Sequence, residues 1–186
     1  MLALGTQAPD FSLPNVTNSQ IVSLDSSIQA RAYVVAFVCN HCPFVKLLRD
    51  HFAEFGNAAM DNGVQVFAIS SNDIENYPDD SPEKMAIEAK EAGYRFPYLY
   101  DESQEVAKAY KAACTPDFFL FASDRRLAYR GQYDNARPSN GKPVTGSDLQ
   151  AALDAVLDKQ LAPEPHTPSL GCNIKWKPGK APTYFG

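Results

Sequence analysis

The sequence predicts a single α/β domain built around a mixed sheet, and three observations carry that expectation. Two β-branched and aromatic runs, residues 33–38 and 64–70, have the composition of strands buried on both faces. Between them Phe44, Leu48, His51/Phe52, Phe55 and Ala59 recur at spacings of three and four, one face of an amphipathic helix. Two later runs, 117–122 and 127–131, are joined at Ser123-Asp124-Arg125-Arg126 and read as an antiparallel pair. A chain of 186 residues with 45% hydrophobic content is long enough for one domain with a full core and too short for two.

In chain order, Ala8 to Leu13 and Gln20 to Leu24 alternate apolar and polar residues around a turn-rich 15–19, an N-terminal β-hairpin. Ser26 to Arg31 reads as a short helical turn before the buried strand at 32–38. Pro43 suits the first turn of the long helix that follows, where its missing N–H has no partner to lose. Asn62-Gly63 stops that helix. Residues 64–70 then form a second buried strand, parallel to the first. After a polar loop at 72–80, Ser81-Pro82-Glu83 starts a helix with a capping serine and a proline at its first position.

That helix runs to about residue 92 and stops at Gly93. Residues 97–100 are a short strand, and Asp101 to Gln104 opens another helix through about Ala112. A last helix begins at Ser147 with a Ser-x-x-Gln capping box (Ser147, Gln150) and buries Leu149, Ala152, Leu153, Val156 and Leu157. Pro163, Pro165, Pro168, Pro178 and Pro182 keep the tail from forming a long helix, so it extends over the surface. Trp176, Tyr184 and Phe185 give it apolar groups with which to dock.

The chemistry concentrates in Val38-Cys39-Asn40-His41-Cys42-Pro43. A strand feeding a helix through C-x-x-C sets the first thiol at the helix N-terminus, where unpaired N–H groups and the macrodipole favour a thiolate. The second thiol then lies one turn inward, placed to close a small disulfide ring. Two other readings stay open from the residues alone. Both cysteines can be inert core groups, or half of a zinc site completed by Cys114 and Cys172. Neither of those two belongs to a second C-x-x-C or a close Cys/His pair, so the fit to zinc is poor. A formal net charge of −5 argues against nucleic acid or an anionic membrane as partner. The N-terminus lacks the basic start of a signal peptide, and no apolar stretch reaches the length of a membrane span. Four cysteines are too few for a secreted disulfide scaffold, so the expected location is cytoplasmic.

Three motifs in order carry a family resemblance: Gly5-Thr6-Gln7-Ala8-Pro9-Asp10-Phe11-Ser12-Leu13, Cys39-Asn40-His41-Cys42-Pro43, and Thr115-Pro116 before 117–121. Over about residues 3–160 the chain resembles the thioredoxin-fold superfamily, in its peroxiredoxin-like (AhpC/TSA, redoxin) branch. The resemblance implies a thioredoxin-like fold, a mixed central sheet flanked by helices, with a peroxiredoxin-type αβ insertion. It implies a domain at 1–160 and a Pro-rich tail at 161–186 packing on it. It further implies that Pro116 is a cis proline and that the backbone of Thr115 before it faces the sulfurs and pairs with bound substrate. Cys39 is then the exposed attacking thiolate and Cys42 the buried resolving thiol, in thiol–disulfide exchange with a protein or small-molecule disulfide. A reducing partner such as thioredoxin or glutathione is implied, with no cofactor and no metal.

His41 beside the first sulfur stabilises its thiolate and makes the couple more oxidising than thioredoxin's. The carboxylate that thioredoxin places six residues before its first cysteine is replaced here by Tyr33, which leaves Asp73 as a possible proton acceptor or an ordinary turn-capping aspartate. The rival function is a thiol peroxidase. Its P-x-x-x-(T/S)-x-x-C pattern fails in both registers, with Val35 and Cys39 before Cys42, and Ala32 and Ala36 before Cys39. Cys114 and Cys172 are possible additional redox groups, and the tail around Cys172 resembles a G-C-x-I-K-W-K type found in one peroxiredoxin-like subfamily.

Overall fold

The computed structural model describes residues 1–24 and 29–184. The helical turn expected at Ser26–Arg31 falls partly on residues 25–28, outside the described residues. Five strands form the central sheet: β3 (Ala32–Phe37), β4 (Val64–Ser70), β5 (Tyr98–Tyr100), β7 (Asp117–Ala122) and β8 (Leu127–Gly131). Their spatial order is β5-β4-β3-β7-β8. β3 runs parallel to β4 and antiparallel to β7, and β7 pairs antiparallel with β8, so the sheet is mixed as expected. The hairpin β1 (Ser12–Pro14) and β2 (Ile21–Ser23) stands apart as its own two-stranded sheet.

The apolar run of β3 is buried on both faces because its alternate side chains enter different cores. Val34 and Ala36 join α1 (Pro43–Asp61), α2 (Pro82–Ala92) and α4 (Ser147–Leu157) on one side. Tyr33, Val35 and Phe37 join α3 (Glu105–Tyr110), the N-terminal segment and Ile174 of the tail on the other. Phe52 of α1 is 0% exposed and meets Phe55, Phe96, Phe118 and Tyr133 ring to ring. Burying one such ring contributes roughly 1.5–3 kcal/mol, which anchors α1 over β3 and β7.

The helix boundaries follow the sequence except where a distant residue takes over the cap. Ser81 Oγ accepts from Lys84 N and Pro82 opens α2, which ends at Gly93 with φ +74°. α4 lacks its expected capping box. Ser147 is its first helical residue, Gly146 is the cap residue with φ +61°, and Gln150 bonds Asp154 instead. The Tyr133 carbonyl does the capping from outside the helix, accepting from Asp148 N at 3.2 Å and Leu149 N at 3.3 Å, while Asp134 Oδ2 holds the turn before it through Thr145 N and Gly146 N, each at 2.7 Å. α3 is shorter than expected, starting after Gln104 and stopping at Lys111, both left-handed, while Asp101 Oδ2 accepts from Ala107 N.

The tail forms a strand that the sequence did not announce. β9 (Cys172–Asn173) pairs antiparallel with β6 (Cys114–Thr115), setting Cys172 opposite Thr115. Buried Asn72 and Gln104 hold the next residues, Asn72 Oδ1 accepting from Lys175 N and Gln104 Oε1 from Lys177 N. Among the described residues no helix is long and apolar enough to cross a membrane.

Candidate active site

β3 ends at Phe37, and residues 38–42 carry the chain across the end of the sheet into α1. Cys42, not Cys39, is the N-cap residue of that helix, with φ −68° and ψ 125°, and Pro43 is its first helical residue. The sequence expectation had the first thiol at the helix end and the second inside the first turn. The order is displaced because the extended conformation that a residue before proline favours keeps Cys42 outside the helix. Cys42 is therefore the sulfur nearest the unpaired N–H groups and the positive end of the macrodipole.

Both sulfurs are out of water, Cys39 at 2% and Cys42 at 0% exposure, so neither is the exposed thiol that the resemblance implied. The Thr115–Pro116 peptide is cis, and Thr115 meets both cysteines. Its hydroxyl lies 3.3 Å from Cys39 Sγ, and its carbonyl oxygen lies 3.1 Å from Cys42 Sγ. All four cysteines are free thiols.

The two sulfurs push each other's ionisation in opposite directions. Cys42 is held well below the usual thiol range, first by the Cys39 thiol donating to it, then by the Cys172 thiol and the N–H groups of Val45 and Cys172, against the opposing pull of burial. The Thr115 carbonyl also opposes, since it accepts from a thiol and repels an anion. Cys39 is pushed well above the usual range because it keeps its proton on Cys42, is buried, and faces the charge of Asp80. The surroundings thus favour the anion on Cys42 over one on Cys39.

His41 turns to a carboxylate rather than to a sulfur. Its Nδ1 donates to Asp80 Oδ2 at 2.6 Å, and its ring stacks on Tyr77. Asp80 is 0% exposed and also accepts from Asn40 N at 2.8 Å, His41 N at 3.3 Å and Asn72 Nδ2 at 2.8 Å. It thereby pins the Cys39–Cys42 loop to the segment after β4. Asp73, the acid named from the sequence, accepts from Glu75 N and Asn76 Nδ2 in its own loop, the turn-capping arrangement. The sequence reading missed Asp80, and the Ser81-Pro82 helix start directly after it was the available signal that residue 80 is held at a turn.

Cys114 is buried and lies 3.6 Å from Pro116 O, and burial pushes its thiol up, as for an inert core thiol. Among the described residues, Cys39, His41 and Asp80 are the set that offers one ligand atom each within 4.8 Å of one another. His41 Nδ1 and Asp80 are spent on each other in this arrangement. Chemically, the site sets two thiols together against Thr115, a pair that can exchange two thiols for one disulfide.

The model of the AhpC/TSA family matches residues 4–130, more than half of the chain. The chain belongs to the AhpC/TSA family. An uncharacterized conserved protein of Geobacillus kaustophilus is similar at 54% identity, with 96% of this chain and 95% of that one covered and a TM-score of 0.93. A hypothetical protein of Sinorhizobium meliloti 1021 is 50% identical over 96% of this chain and 97% of its own, again at 0.93. The thioredoxin domain of a thiol-disulfide oxidoreductase of Bacteroides vulgatus shares the fold at 18% identity and a TM-score of 0.58, over 70% of this chain and 89% of that one. No curated protein matches. These likenesses place this AhpC/TSA member in the thioredoxin-like fold.

Proposed function

We propose that this AhpC/TSA protein is a thiol–disulfide oxidoreductase whose Cys39 and Cys42 cycle between dithiol and disulfide. The observation that carries this reading is the placement of both sulfurs against Thr115 at the N-terminus of α1, its hydroxyl 3.3 Å from Cys39 Sγ and its carbonyl oxygen 3.1 Å from Cys42 Sγ. The Cys42 thiolate is the nucleophile of the pair and Cys39 holds the proton. Once Cys42 carries a mixed disulfide with the substrate, Cys39 gives up that proton, attacks the Cys42 sulfur and displaces the substrate thiol, closing the internal disulfide. A thiol whose anion is stabilised makes the reduced form the favoured one, so the couple acts towards the oxidising side of thioredoxin. His41 and Asp80 position the loop, with Pro116 and Thr115 forming the opposite wall. The electron donor or acceptor is a protein or small-molecule disulfide or thiol, with thioredoxin or glutathione as the class of reducing partner.

Family membership supports a second reading, a thiol peroxidase in which the Cys42 thiolate attacks peroxide. The partners of the two sulfurs among the described residues are each other, Thr115, Val45 and Cys172, with no arginine among them to polarise a peroxide. Disulfide exchange is therefore the preferred activity. Insulin reduction by the protein with dithiothreitol is expected to be lost in both C39S and C42S. Peroxide consumption that survives C39S but not C42S, with no insulin reduction by the parent protein, would replace the oxidoreductase reading by the peroxidase one.

A further inference from the structure

The two sulfurs of the proposed pair are sealed from water, yet an exchange reaction needs a sulfur that an outside disulfide can reach. Among the described residues one cysteine is half-exposed, Cys172, while Cys39, Cys42 and Cys114 are buried. It is not a stray surface thiol. β9 sets it directly opposite Thr115, whose carbonyl lies 3.1 Å from Cys42 Sγ. Cys172 stands close enough to Cys42 that its thiol and backbone N–H favour the Cys42 anion.

The approach of the tail at this point is unusually close. A Cβ on Gly171 would lie 2.0 Å from Thr115 O, so only glycine lets residue 172 come so near. Ile174 is 2% exposed in the second core and its N–H donates to Ala113 O, which fixes the register on the far side of Cys172. The backbone edge of Thr115, where an extended chain would add as a strand, is thus already filled by the protein's own tail.

We propose that Cys172 is the entry thiol of a three-cysteine relay, passing oxidation from an external disulfide to the buried Cys39/Cys42 pair. This rests on the oxidoreductase reading and names the route by which that site is reached. In the first step Cys172 gives up its proton and its thiolate attacks a disulfide RSSR. A Cys172–SR bond forms, the RS–SR bond breaks, and one RSH leaves with the Cys172 proton. The Cys42 thiolate then attacks the Cys172 sulfur, forming the Cys42–Cys172 disulfide and releasing RS⁻, which takes a proton from water. Finally Cys39 attacks the Cys42 sulfur and its proton passes to the departing Cys172 sulfur. The result is a Cys39–Cys42 disulfide, two RSH and a regenerated Cys172 thiol, so two protein thiols are oxidised as one RSSR is reduced.

The relay makes a trappable intermediate. The full-length C39S variant, treated with oxidised glutathione, is expected to stop at the Cys42–Cys172 disulfide, close to one per chain by peptide mass mapping. In C39S/G171A the same bond is expected to fall at least tenfold, because the added methyl lifts the strand from Thr115. In C172S the Cys39–Cys42 disulfide is expected to reach the same fraction in a glutathione redox buffer, while its rate of formation drops at least tenfold. A C39S product with Cys172 free and Cys42 carrying glutathione overturns the relay, as does C172S oxidising at the parental rate or faster. Absence of a Cys39–Cys42 disulfide in the oxidised parent protein overturns the oxidoreductase reading itself, a separate result.

Discussion

Removal of the Asp80 carboxylate is the sharpest test of how the site is held. Asp80 is 0% exposed and accepts from two backbone N–H groups, an imidazole and an amide. Asp80→Ala leaves those donors without their acceptor. Each buried donor left unsatisfied costs about 1–3 kcal/mol, so losing the acceptor of several costs about 3–5 kcal/mol. In a chain of this size each kcal/mol moves the melting temperature by roughly 2–4 °C, so a fall of about 6–20 °C is expected. Asp80→Asn keeps one oxygen for the donors and loses the charge, so a smaller loss of about 1–3 kcal/mol follows.

The two variants also read out chemistry. With the Asp80 charge gone, one cause of the high Cys39 value disappears, and alkylation of Cys39 should shift to lower pH in Asp80→Asn. Differential scanning calorimetry of the reduced protein measures the first effect, and iodoacetamide labelling rates against pH measure the second. An Asp80→Ala protein that melts within about 2 °C of the parent would refute the claim that this carboxylate clamps the loop, and an unchanged Cys39 profile in Asp80→Asn would refute the electrostatic part.

Three further outcomes are expected. Thiolate absorbance at 240 nm should persist below the usual thiol range in the reduced protein and vanish in C42S, because the Cys42 value is lowered by Cys39, Cys172 and the helix end. The sign follows from linkage. Stability from a lowered thiol is present above its unfolded value and is lost as pH falls through the folded one, so acid should weaken the reduced protein more than C42S. Gly56→Ala should destabilise although alanine is the better helix former by up to about 1 kcal/mol. The new Cβ would lie 2.3 Å from Phe96 Cε1, and Phe96 is 2% exposed against Phe52 and Tyr94, so overpacking of about 1–3 kcal/mol wins and urea unfolding should show a lower midpoint.

Local pattern was enough for most of the frame. The runs at 33–38 and 64–70, the three-and-four spacing of α1, Ser81-Pro82 and Gly93 around α2, and C-x-x-C at a strand-to-helix junction all report what neighbours in the chain do to one another. Periodicity records burial and conformation within a few residues, and those are short-range effects. Where a cap came from afar the pattern misled, as at α4, where the Tyr133 carbonyl displaced the Ser147–Gln150 box.

The amino-acid order by itself determined that two thiols would stand where a buried strand gives way to a helix, beside a proline-bounded strand. Only the tertiary structure decided which of them meets the helix end and what surrounds both. Asp80 reaches the loop from 39 residues beyond His41, Thr115 from 73 beyond Cys42, and Cys172 by pairing with Thr115. Those partners are brought together by closing long stretches of chain around the packed sheet, and no repeat in the residues records such closure. The ionisation of the sulfurs is therefore a property of the assembled fold, because the charges and hydrogen bonds that set it come from four separate segments.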